Sequence, residues 1–332
     1  MRTKEPVISV LTPVWNGLPY IKEAVESVLN QDFEDWELVI SDNGSTDGTR
    51  DYLDTLTDPR IKIFKQEKNL GIDGNLNFLY SKASCEISYC LCADDYFHPG
   101  MLTKVVQEWN ACPDDVALIV FNWRDILTFN TRGWHYYEAL PRVIKPSLSQ
   151  LAFFLFGNFA GNLSNISARV KDVVNAGGFD EAYRMAGDFE IWARIGRTRT
   201  IVLSDTQATH VRVHEGVASN YMNKYGQMFK EQTFIYETLI ERLVGSGNIN
   251  FNRQQLVDYF NIEVCSFHYR ESIRNLLYNG RLKYLWFYLS SESKVFWPKW
   301  KRIFVSLPYA INEKGRMEVL VKMADKLLVG AK

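Results

Sequence analysis

Two adjacent carboxylates, Asp94 and Asp95, follow a short apolar run that begins near Ser88. The run has no helical period and is bounded by a turn signal, so it predicts a buried strand. Carboxylates directly beyond a buried strand are costly unless a cation or a ligand compensates their charge. Ligands of open α/β sheets bind beyond the carboxyl ends of strands, and carboxylate and phosphate oxygens suit Mg²⁺ or Mn²⁺. The pair therefore predicts a metal–nucleotide site, or alternatively a turn that caps a helix beginning at Met101.

Alternating strands and helices are expected to position these carboxylates. Apolar β-rich runs predict further strands at residues 7–12, 36–40, 61–64, 116–123, 200–203 and 209–213. Apolar periodicity and capping residues predict helices at residues 20–29, from 46 or 47 to 56, 75–82, from 101 onward, 170–175 and 187–195. Residues 69–74 are expected to form a loop. This alternation indicates a mainly parallel, doubly wound sheet.

Several classes of protein are excluded or disfavoured. An apolar content of 46% and a charged content of 23% describe a folded chain. No Gly-x-Gly-x-x-Gly follows the first strand, which disfavours a dinucleotide dehydrogenase, and the absence of Gly-x-x-x-x-Gly-Lys-Ser/Thr excludes a P-loop. The N-terminus leads directly into a strand, so no signal peptide is predicted. No window reaches 18 uncharged apolar residues, so no transmembrane helix is expected.

The five cysteines are an odd number without a metal-ligand rhythm. Cys90 and Cys92 alternate with Leu91 in the predicted strand. We therefore expect core thiols in a reducing compartment in place of disulfides, which favours a cytoplasmic location.

The net charge of −1 conceals an asymmetry between the two parts of the chain. Residues 251–332 contain 14 Lys/Arg and 7 Asp/Glu, a net charge of +7, against −8 for residues 1–250. The acidic part disfavours nucleic acid as a partner, whereas the basic part suits an anionic surface. Residues 284–288 and 296–304 mix aromatic with basic side chains, which favours peripheral attachment to the cytoplasmic membrane face. The alternative is a helical region that packs on the rest of the chain or on a second subunit of a homo-oligomer.

Five segments carry a resemblance to a known family. They are Thr12-Pro-Val-Trp-Asn16, Ser41-Asp-Asn-Gly-Ser-Thr-Asp47, Ala93-Asp-Asp95, Gly187-Asp-Phe-Glu-Ile-Trp192 and Arg212-Val-His-Glu-Gly-Val-Ala-Ser219. With this order and spacing, residues 7–220 resemble the inverting glycosyltransferases of family 2. The resemblance implies a Rossmann-like GT-A nucleotide-sugar-binding fold, α/β with a mainly parallel sheet flanked by helices. It assigns residues 1–225 to the catalytic domain and leaves residues 226–332 as a helical C-terminal extension.

The resemblance also implies which residues contact a nucleotide-sugar donor. They are Pro13, Trp15, Asn16, Asp42, Asn69, Gly71, Asn77, Asp94 and Arg212. An aromatic platform at Trp15 and an acceptor at Asp42 suit uracil, which stacks and offers one N–H donor. Asp94 would face the ribose, and Arg212 would lie near the diphosphate. The alternatives are Trp15 in the core, Asp42 as a turn residue, and a plain surface loop around residues 69–77.

Metal binding and proton transfer are implied for three further residues. Asp95 would bind a divalent metal, Mn²⁺ or Mg²⁺, that bridges the diphosphate, and His214 would complete the metal shell, touch the diphosphate or be structural. Asp188 would act as the catalytic base of a single displacement, taking the proton of the acceptor hydroxyl. The alternative role for Asp188 is a helix N-terminal residue. Glu190 is the weaker candidate for the base.

Two positions depart from the family pattern. Gly187 stands where the family often has Glu, and Cys92 stands where some members carry the first Asp of a D-x-D-D segment. The pair Asp94 and Asp95 suffices in many relatives, so the departures do not exclude activity.

Together with the residues above, the resemblance implies an inverting glycosyltransferase that moves a sugar from a nucleotide sugar such as a UDP-sugar to a glycan or lipid-linked saccharide in O-antigen, capsule or lipopolysaccharide synthesis. One alternative is a catalytically silent scaffold that binds nucleotide sugars. The other is a nucleotidyltransferase, although the glycine-rich, lysine-bearing first loop is missing. Residues 134–165 are expected to choose the sugar.

Overall fold

The computed structural model describes residues 5–122, 140–212, 214, 227–247, 252–280, 282, 285 and 299–329. The chain divides into two compact units, Met1–Ser149 with Asn158–His214 and Gln150–Gly157 with Glu215–Lys332. The predicted boundary at residue 225 lies outside the described residues.

The first unit is built on an eight-stranded mixed sheet. Its strands are β1 Ile8–Val14, β2 Trp36–Asp42, β3 Ile61–Lys65, β4 Ile87–Cys90, β6 Val116–Val120, β7 Val143–Ile144, β8 Ile166–Arg169 and β9 Thr200–Leu203. Their spatial order is β3-β2-β1-β4-β8-β6-β9-β7. The first four neighbours are parallel, whereas β8 runs antiparallel between β4 and β6. Strands β5 Tyr96–Phe97 and β10 Thr209–His210 form a separate antiparallel pair.

Helices follow most of these strands. They are α1 Tyr20–Leu29, α2 Thr49–Leu53, α3 Gly71–Lys82, α4 Met101–Ala111, α5 Pro146–Phe156, α6 Val170–Asn175 and α7 Gly187–Gly196. Helices α1 and α6 have the predicted bounds, whereas α2 is shorter than predicted.

The loop predicted at residues 69–74 is wrong from Gly71 onward, because α3 begins at Gly71. Two asparagine side chains satisfy the backbone N–H groups there. Asn43 Oδ1 accepts from Leu70 N at 2.7 Å, and Asn69 Oδ1 accepts from Gly71 N at 2.8 Å. Such side-chain acceptors replace the partners that the first turn of a helix lacks.

The core lies where the central strands meet the helices. All seven residues of β2 and all five of β6 are buried. Continuous burial suits strands covered on both faces. Strand β6 is apolar throughout, whereas β2 also buries Glu37, Ser41 and Asp42. Helix α1 buries one stripe, Ile21, Ala24, Val25 and Val28. Burying each large aliphatic side chain stabilises the fold by about 1.5–3 kcal/mol.

The second unit is helical where it is described. Its helices after α5 are α8 Gln227–Gly245, α9 Arg253–Phe260, a π-helical turn Asn261–Cys265, α10 Ser266–Asn279, α11 Lys299–Ile311 and α12 Glu313–Val329. Within the described residues, no helix combines the length and apolarity needed to cross a bilayer. Most of the aromatic and basic segments at residues 284–288 and 296–304 lie outside the residues whose side chains are described.

Candidate active site

The carboxyl ends of β1, β2 and β4 lie at one edge of the sheet. Strand β1 pairs in parallel with β2 on one side, Val14 opposite Asp42, and with β4 on the other, Leu11 opposite Cys90. The residues that follow these ends therefore meet at the edge where α/β sheets bind ligands. Trp15, Asp42 and the segment Leu91–Asp95 occupy it.

Asp95 is almost completely buried, with 1% of its surface exposed. Its Oδ1 accepts from Arg212 N at 2.9 Å, but its Oδ2 is buried without a hydrogen-bond partner. Burial, with a smaller contribution from the Asp94 carboxylate, raises the pKa of Asp95 to about 6. A buried anionic oxygen without a partner is costly, and a cation would relieve that cost.

The alternative role of this carboxylate pair, as the cap of α4, is wrong. The backbone N–H groups of Met101 and Leu102 both donate to Gln31 Oε1, at 2.8 and 3.0 Å. Gln31 from the end of α1 therefore satisfies the start of α4. Asp94 and Asp95 therefore do not cap α4 and lie at the edge of the sheet.

Cys92 lies beyond the end of β4 and is half-buried, so it is not the core thiol that the sequence predicted. One ligand atom from each of Cys92, Asp94 and Asp95 can be chosen so that all three lie within 4.8 Å of one another. The neighbouring Cys90 thiol, burial and the two carboxylates raise the pKa of the Cys92 thiol well above its usual range. This convergence of acidic groups, with the partnerless Asp95 Oδ2, fits a divalent cation.

Arg212 and His214 lie against the carboxylate pair. Arg212 Nη1 donates to the backbone oxygen of Asp94 at 3.1 Å, and its guanidinium also pairs with Glu23. The same guanidinium lies over the ring of Tyr96, 4.8 Å from its centroid. His214 Nε2 is 3.2 Å from Asp94 Oδ2. The structure thus brings both predicted residues to the acidic pair, although they follow it by more than 110 positions.

Trp15 is 56% exposed, so its alternative placement in the core is wrong. The next residue, Asn16, adopts a left-handed conformation with φ of 52°. Its backbone N–H donates to Ser45 Oγ at 2.7 Å, and its Oδ1 accepts from Thr46 N at 2.8 Å. These bonds join the loops after β1 and β2. Pro13 lies inside β1, opposite Ser41 in β2.

Asp42 is fully buried at the end of β2. Arg50 Nε donates to its Oδ2 at 2.6 Å, and Ser45 N donates to its Oδ1 at 3.2 Å. The Asp42 carboxylate therefore stabilises the turn after β2 and the start of α2. This is the alternative role predicted for Asp42, that of a turn residue. Each carboxylate oxygen can accept a further hydrogen bond.

The predicted loop residues Asn69, Gly71 and Asn77 surround the start of α3. Asn43 Nδ2 donates to Asn69 Oδ1 at 3.1 Å and to Gly71 O at 2.9 Å. Asn77 uses both ends of its amide on Phe179, donating to the carbonyl at 2.9 Å and accepting from the N–H at 2.7 Å. Asn77 therefore ties α3 to the turn at Phe179.

Asp188 lies in the first turn of α7 and is half-buried. Asn158 Nδ2 donates to its Oδ2 at 2.9 Å, and Phe189 N donates to its Oδ1 at 2.7 Å. A helix N-terminus stabilises an anionic carboxylate. Glu190, the weaker candidate, is bound by Arg194 Nη2 at 2.7 Å within the same helix.

The segment Asn158–Ser164, part of the range 134–165 that the sequence analysis expects to choose the sugar, connects these parts of the site. At one end Asn158 binds Asp188, and at the other Ser164 Oγ accepts from Cys92 N at 2.9 Å. These contacts join residues 30 and 72 positions apart. The polar, glycine-bearing composition of the segment was the one available signal.

Known proteins resemble this chain in sequence and in fold. Residues 9–173 match the family model "Glycosyl transferase family 2". Over 108 residues the chain is 36% identical to the GalNAc(5)-diNAcBac-PP-undecaprenol beta-1,3-glucosyltransferase of Campylobacter jejuni, covering 32% of this chain and 35% of that protein. Alignments with several curated relatives span between 32% and 67% of those relatives' lengths.

Two solved structures have the same GT-A fold. Residues 1–349 of Staphylococcus aureus TarS, in complex with UDP-GlcNAc, match with a TM-score of 0.60 and 15% identity over 98% of this chain and 89% of that chain. The mannosyltransferase PcManGT of Pyrobaculum calidifontis, in complex with GDP-Man and Mn²⁺, matches with a TM-score of 0.54 and 17% identity over 99% of this chain and 87% of that chain.

Proposed function

The chain belongs to the family 2 glycosyltransferases, and we propose that it moves a sugar from a UDP-sugar to a hydroxyl of a glycan or lipid-linked saccharide, with inversion at the anomeric carbon. The observation that carries this proposal is the buried, partnerless Asp95 Oδ2 beside Asp94, at the sheet edge that also presents Trp15. An aromatic face suits a nucleobase, and oxygen ligands suit the cation that accompanies a diphosphate.

Trp15 and Asp42 are the proposed contacts of the base. Trp15 is exposed and follows β1 directly, so it can stack on a ring without rearrangement. Asp42 is closed off by Arg50 and the Ser45 turn. Each oxygen can accept a further hydrogen bond, so a uracil N–H can bind beside Arg50 and Ser45, but the proposal requires the fully buried carboxylate to become accessible.

Asp94, Asp95 and His214 are the proposed residues around a divalent cation, Mn²⁺ or Mg²⁺. The bound cation would neutralise charge that develops on the departing diphosphate. Arg212 N donates to the Asp95 carboxylate, and the Arg212 guanidinium donates to the backbone carbonyl of Asp94, so Arg212 holds both the Asp95 side chain and the backbone of Asp94. His214 contacts Asp94 Oδ2, so it orients this carboxylate or completes the metal shell.

Asp188 is the proposed base for the acceptor hydroxyl. Asn158 and the backbone of Phe189 each bind one of its oxygens, which fixes the carboxylate in one orientation. A fixed carboxylate that accepts a proton while the hydroxyl oxygen attacks is what single displacement requires.

The acceptor proposed here is a surface glycan or its lipid-linked precursor. The similarity to a glucosyltransferase named for an undecaprenol-linked acceptor supports this class, as does the net charge of +7 over residues 251–332.

Phe304 and Ile311 on α11 are 72% and 77% exposed, and their spacing of seven places them on one helix face. An exposed apolar face in a basic region suits an anionic membrane surface. Flotation with anionic liposomes tests this attachment, and a protein that stays at the bottom at low salt contradicts it.

The donor and the ion are tested by a thermal-shift screen. UDP, GDP, dTDP and CMP are each added with and without Mn²⁺ to the wild-type protein and to Asp95→Ala. Ligands that bind the folded state raise its apparent stability. We expect a shift with UDP that needs Mn²⁺ and is lost in Asp95→Ala. Asp114→Asn, which changes a fully exposed carboxylate, is the control and should keep the shift.

Hydrolysis of the donor separates the proposal from its alternatives. A transferase releases UDP slowly from the UDP-sugar with water as acceptor, whereas a silent scaffold binds the donor and leaves it intact. A nucleotidyltransferase would instead form or break the diphosphate. A protein that binds no nucleotide under any condition contradicts the proposed function.

A further inference from the structure

A thiol belongs to the acidic cluster at the end of β4. The Cys92 thiol and one oxygen from each of Asp94 and Asp95 lie within 4.8 Å of one another. In the part of the chain that the structure describes, this is the one group of three metal-ligating side chains gathered so closely. All five cysteines are free, and the other half-buried thiol, Cys112, lies at the end of α4.

The backbone around Cys92 is held in place. Its N–H donates to Ser164 Oγ at 2.9 Å, and its carbonyl accepts from Asp95 N at 3.1 Å, which closes a tight turn. The Cys92 sulfur lies 3.9 Å from Asn162 Oδ1. An S–H group is a weak donor at such a distance, so this contact leaves the sulfur available to a stronger partner.

A second observation points to a ligand in the same turn. Asp95 Oδ2 is buried and has no hydrogen-bond partner, whereas its other oxygen is bound by Arg212 N. The turn from Cys92 to Asp95 thus presents a sulfur and two carboxylates, one of them with a buried oxygen that lacks a partner. A cation placed there satisfies the buried oxygen and meets a thiol at the same time.

We propose that Cys92 is a ligand of the cation that Asp94 and Asp95 hold, and that this sulfur shifts the site toward softer divalent ions. This inference rests on the metal site of the proposed function. Carboxylates suit Mg²⁺ and Mn²⁺, whereas thiolates favour Zn²⁺, Cd²⁺ and Co²⁺ over Mg²⁺. Coordination replaces the S–H bond by an S–metal bond and releases the proton to water.

The test is metal binding by the full-length protein, free of metal and nucleotide at the start. Co²⁺ or Cd²⁺ is titrated in while ultraviolet absorption is recorded, because a thiolate bound to either ion gives a charge-transfer band that carboxylates do not give. We expect the band in the wild type and in the control Cys112→Ser, and its loss in Cys92→Ser. Removing a hydrogen-bond partner of a metal ligand lowers metal affinity by roughly tenfold or more. Cys92→Ser removes a proposed ligand itself, so we expect it to lower Cd²⁺ affinity by more than roughly tenfold. The change in Mg²⁺ affinity should be smaller.

A second variant covers the case in which Cys92→Ser folds poorly. Cys92→Asp offers oxygen in place of sulfur, and we expect it to lose the band and to bind Mg²⁺ more tightly than the wild type does. A band that persists in Cys92→Ser or Cys92→Asp overturns the inference, because another thiol then binds the ion.

The remaining outcomes separate this inference from the proposed function. If Mn²⁺ and Cd²⁺ stabilise the wild type but not Asp95→Asn, and no band forms, the ion rests on carboxylates alone. The proposed function then stands and the role of Cys92 is refuted. If neither ion binds with or without UDP, the metal site of the proposed function fails, and the role of Cys92 fails with it.

Discussion

Asp73 fills the space that a side chain at position 187 would need. A Cβ atom on Gly187 would lie 2.6 Å from Asp73 Oδ2 and 2.8 Å from Oδ1, closer than real Cβ contacts. Asp73 comes from α3, is 8% exposed, and lies directly beside the residue that precedes Asp188. The family that this chain resembles often has Glu at position 187. A carboxylate is therefore present at position 187 here, but it comes from a different helix.

Gly187→Ala is expected to destabilise the protein by about 1–3 kcal/mol, because the new methyl group overlaps the Asp73 carboxylate. Asp73→Gly in the same chain should recover part of this loss, since it removes the overlap, and such non-additivity marks direct contact. Urea unfolding of the single and double variants measures both effects. Gly245→Ala is the control, because a Cβ there meets no atom within 4 Å. A double variant whose loss equals the sum of the losses in Gly187→Ala and Asp73→Gly would contradict the contact.

Asp188→Asn is expected to lower kcat by about 10²–10⁴-fold, because an amide cannot take the acceptor proton. Donor binding should be unchanged, since Asn158 can still contact the side chain at position 188. Steady-state transfer and the thermal shift with UDP and Mn²⁺ measure the two properties. Glu190→Gln is the control, because Arg194 already binds that carboxylate. A comparable fall in kcat for Glu190→Gln would move the base to that residue.

Asp95→Asn is expected to stabilise the metal-free protein at neutral pH. The pKa of Asp95 is raised to about 6 by burial, against about 3.9 in an unfolded chain. The folded state therefore binds this proton more tightly, and stability falls as the pH rises from about 4 to about 6. Above pH 6 the full cost, about 3 kcal/mol, is present in the wild type and absent in the variant. Unfolding of both proteins between pH 4 and pH 8 measures the difference, and a difference independent of pH would refute the assignment.

His214→Ala is expected to weaken Mn²⁺ binding about 10–100-fold, because Asp94 Oδ2 loses the group that contacts it at 3.2 Å. Calorimetric titration with Mn²⁺ in the presence of UDP measures the affinity. His98→Ala is the matched control, since His98 lies beyond β5 and packs beside Tyr96 and His210. If both variants bind Mn²⁺ as the wild type does, His214 has no role at the metal.

Gln31→Ala is expected to destabilise the protein by about 0.5–2 kcal/mol, because the N–H groups of Met101 and Leu102 lose their shared acceptor. The thermal shift with UDP and Mn²⁺ should survive, since Gln31 holds α4 and does not bind the acidic pair. Substitution of Asp94 should show the reverse pattern, with binding lost and α4 retained. Loss of UDP binding in Gln31→Ala would mean that the start of α4 shapes the donor site.

The sequence alone determined the elements that depend on local pattern. The apolar stripe of α1 gave its bounds, and the apolar runs of β1, β2 and β3 located those strands, because periodicity reports which face of an element is buried. The position of Asp94 and Asp95 beyond a buried strand also followed from order along the chain. The position of β8 did not, since the sequence offered no signal that Ile166–Arg169 runs antiparallel between β4 and β6.

The tertiary structure decided what the side chains touch. Gln31, not the acidic pair, satisfies the start of α4; Asn43 starts α3 inside a predicted loop; and Asp73 lies against Gly187. It also placed Cys92 outside the strand and beside Asp94 and Asp95. Each of these contacts, apart from the local turn at Cys92, joins residues far apart in the chain. Hydrophobic periodicity carries no information about such pairs, because they form only when separate elements pack together.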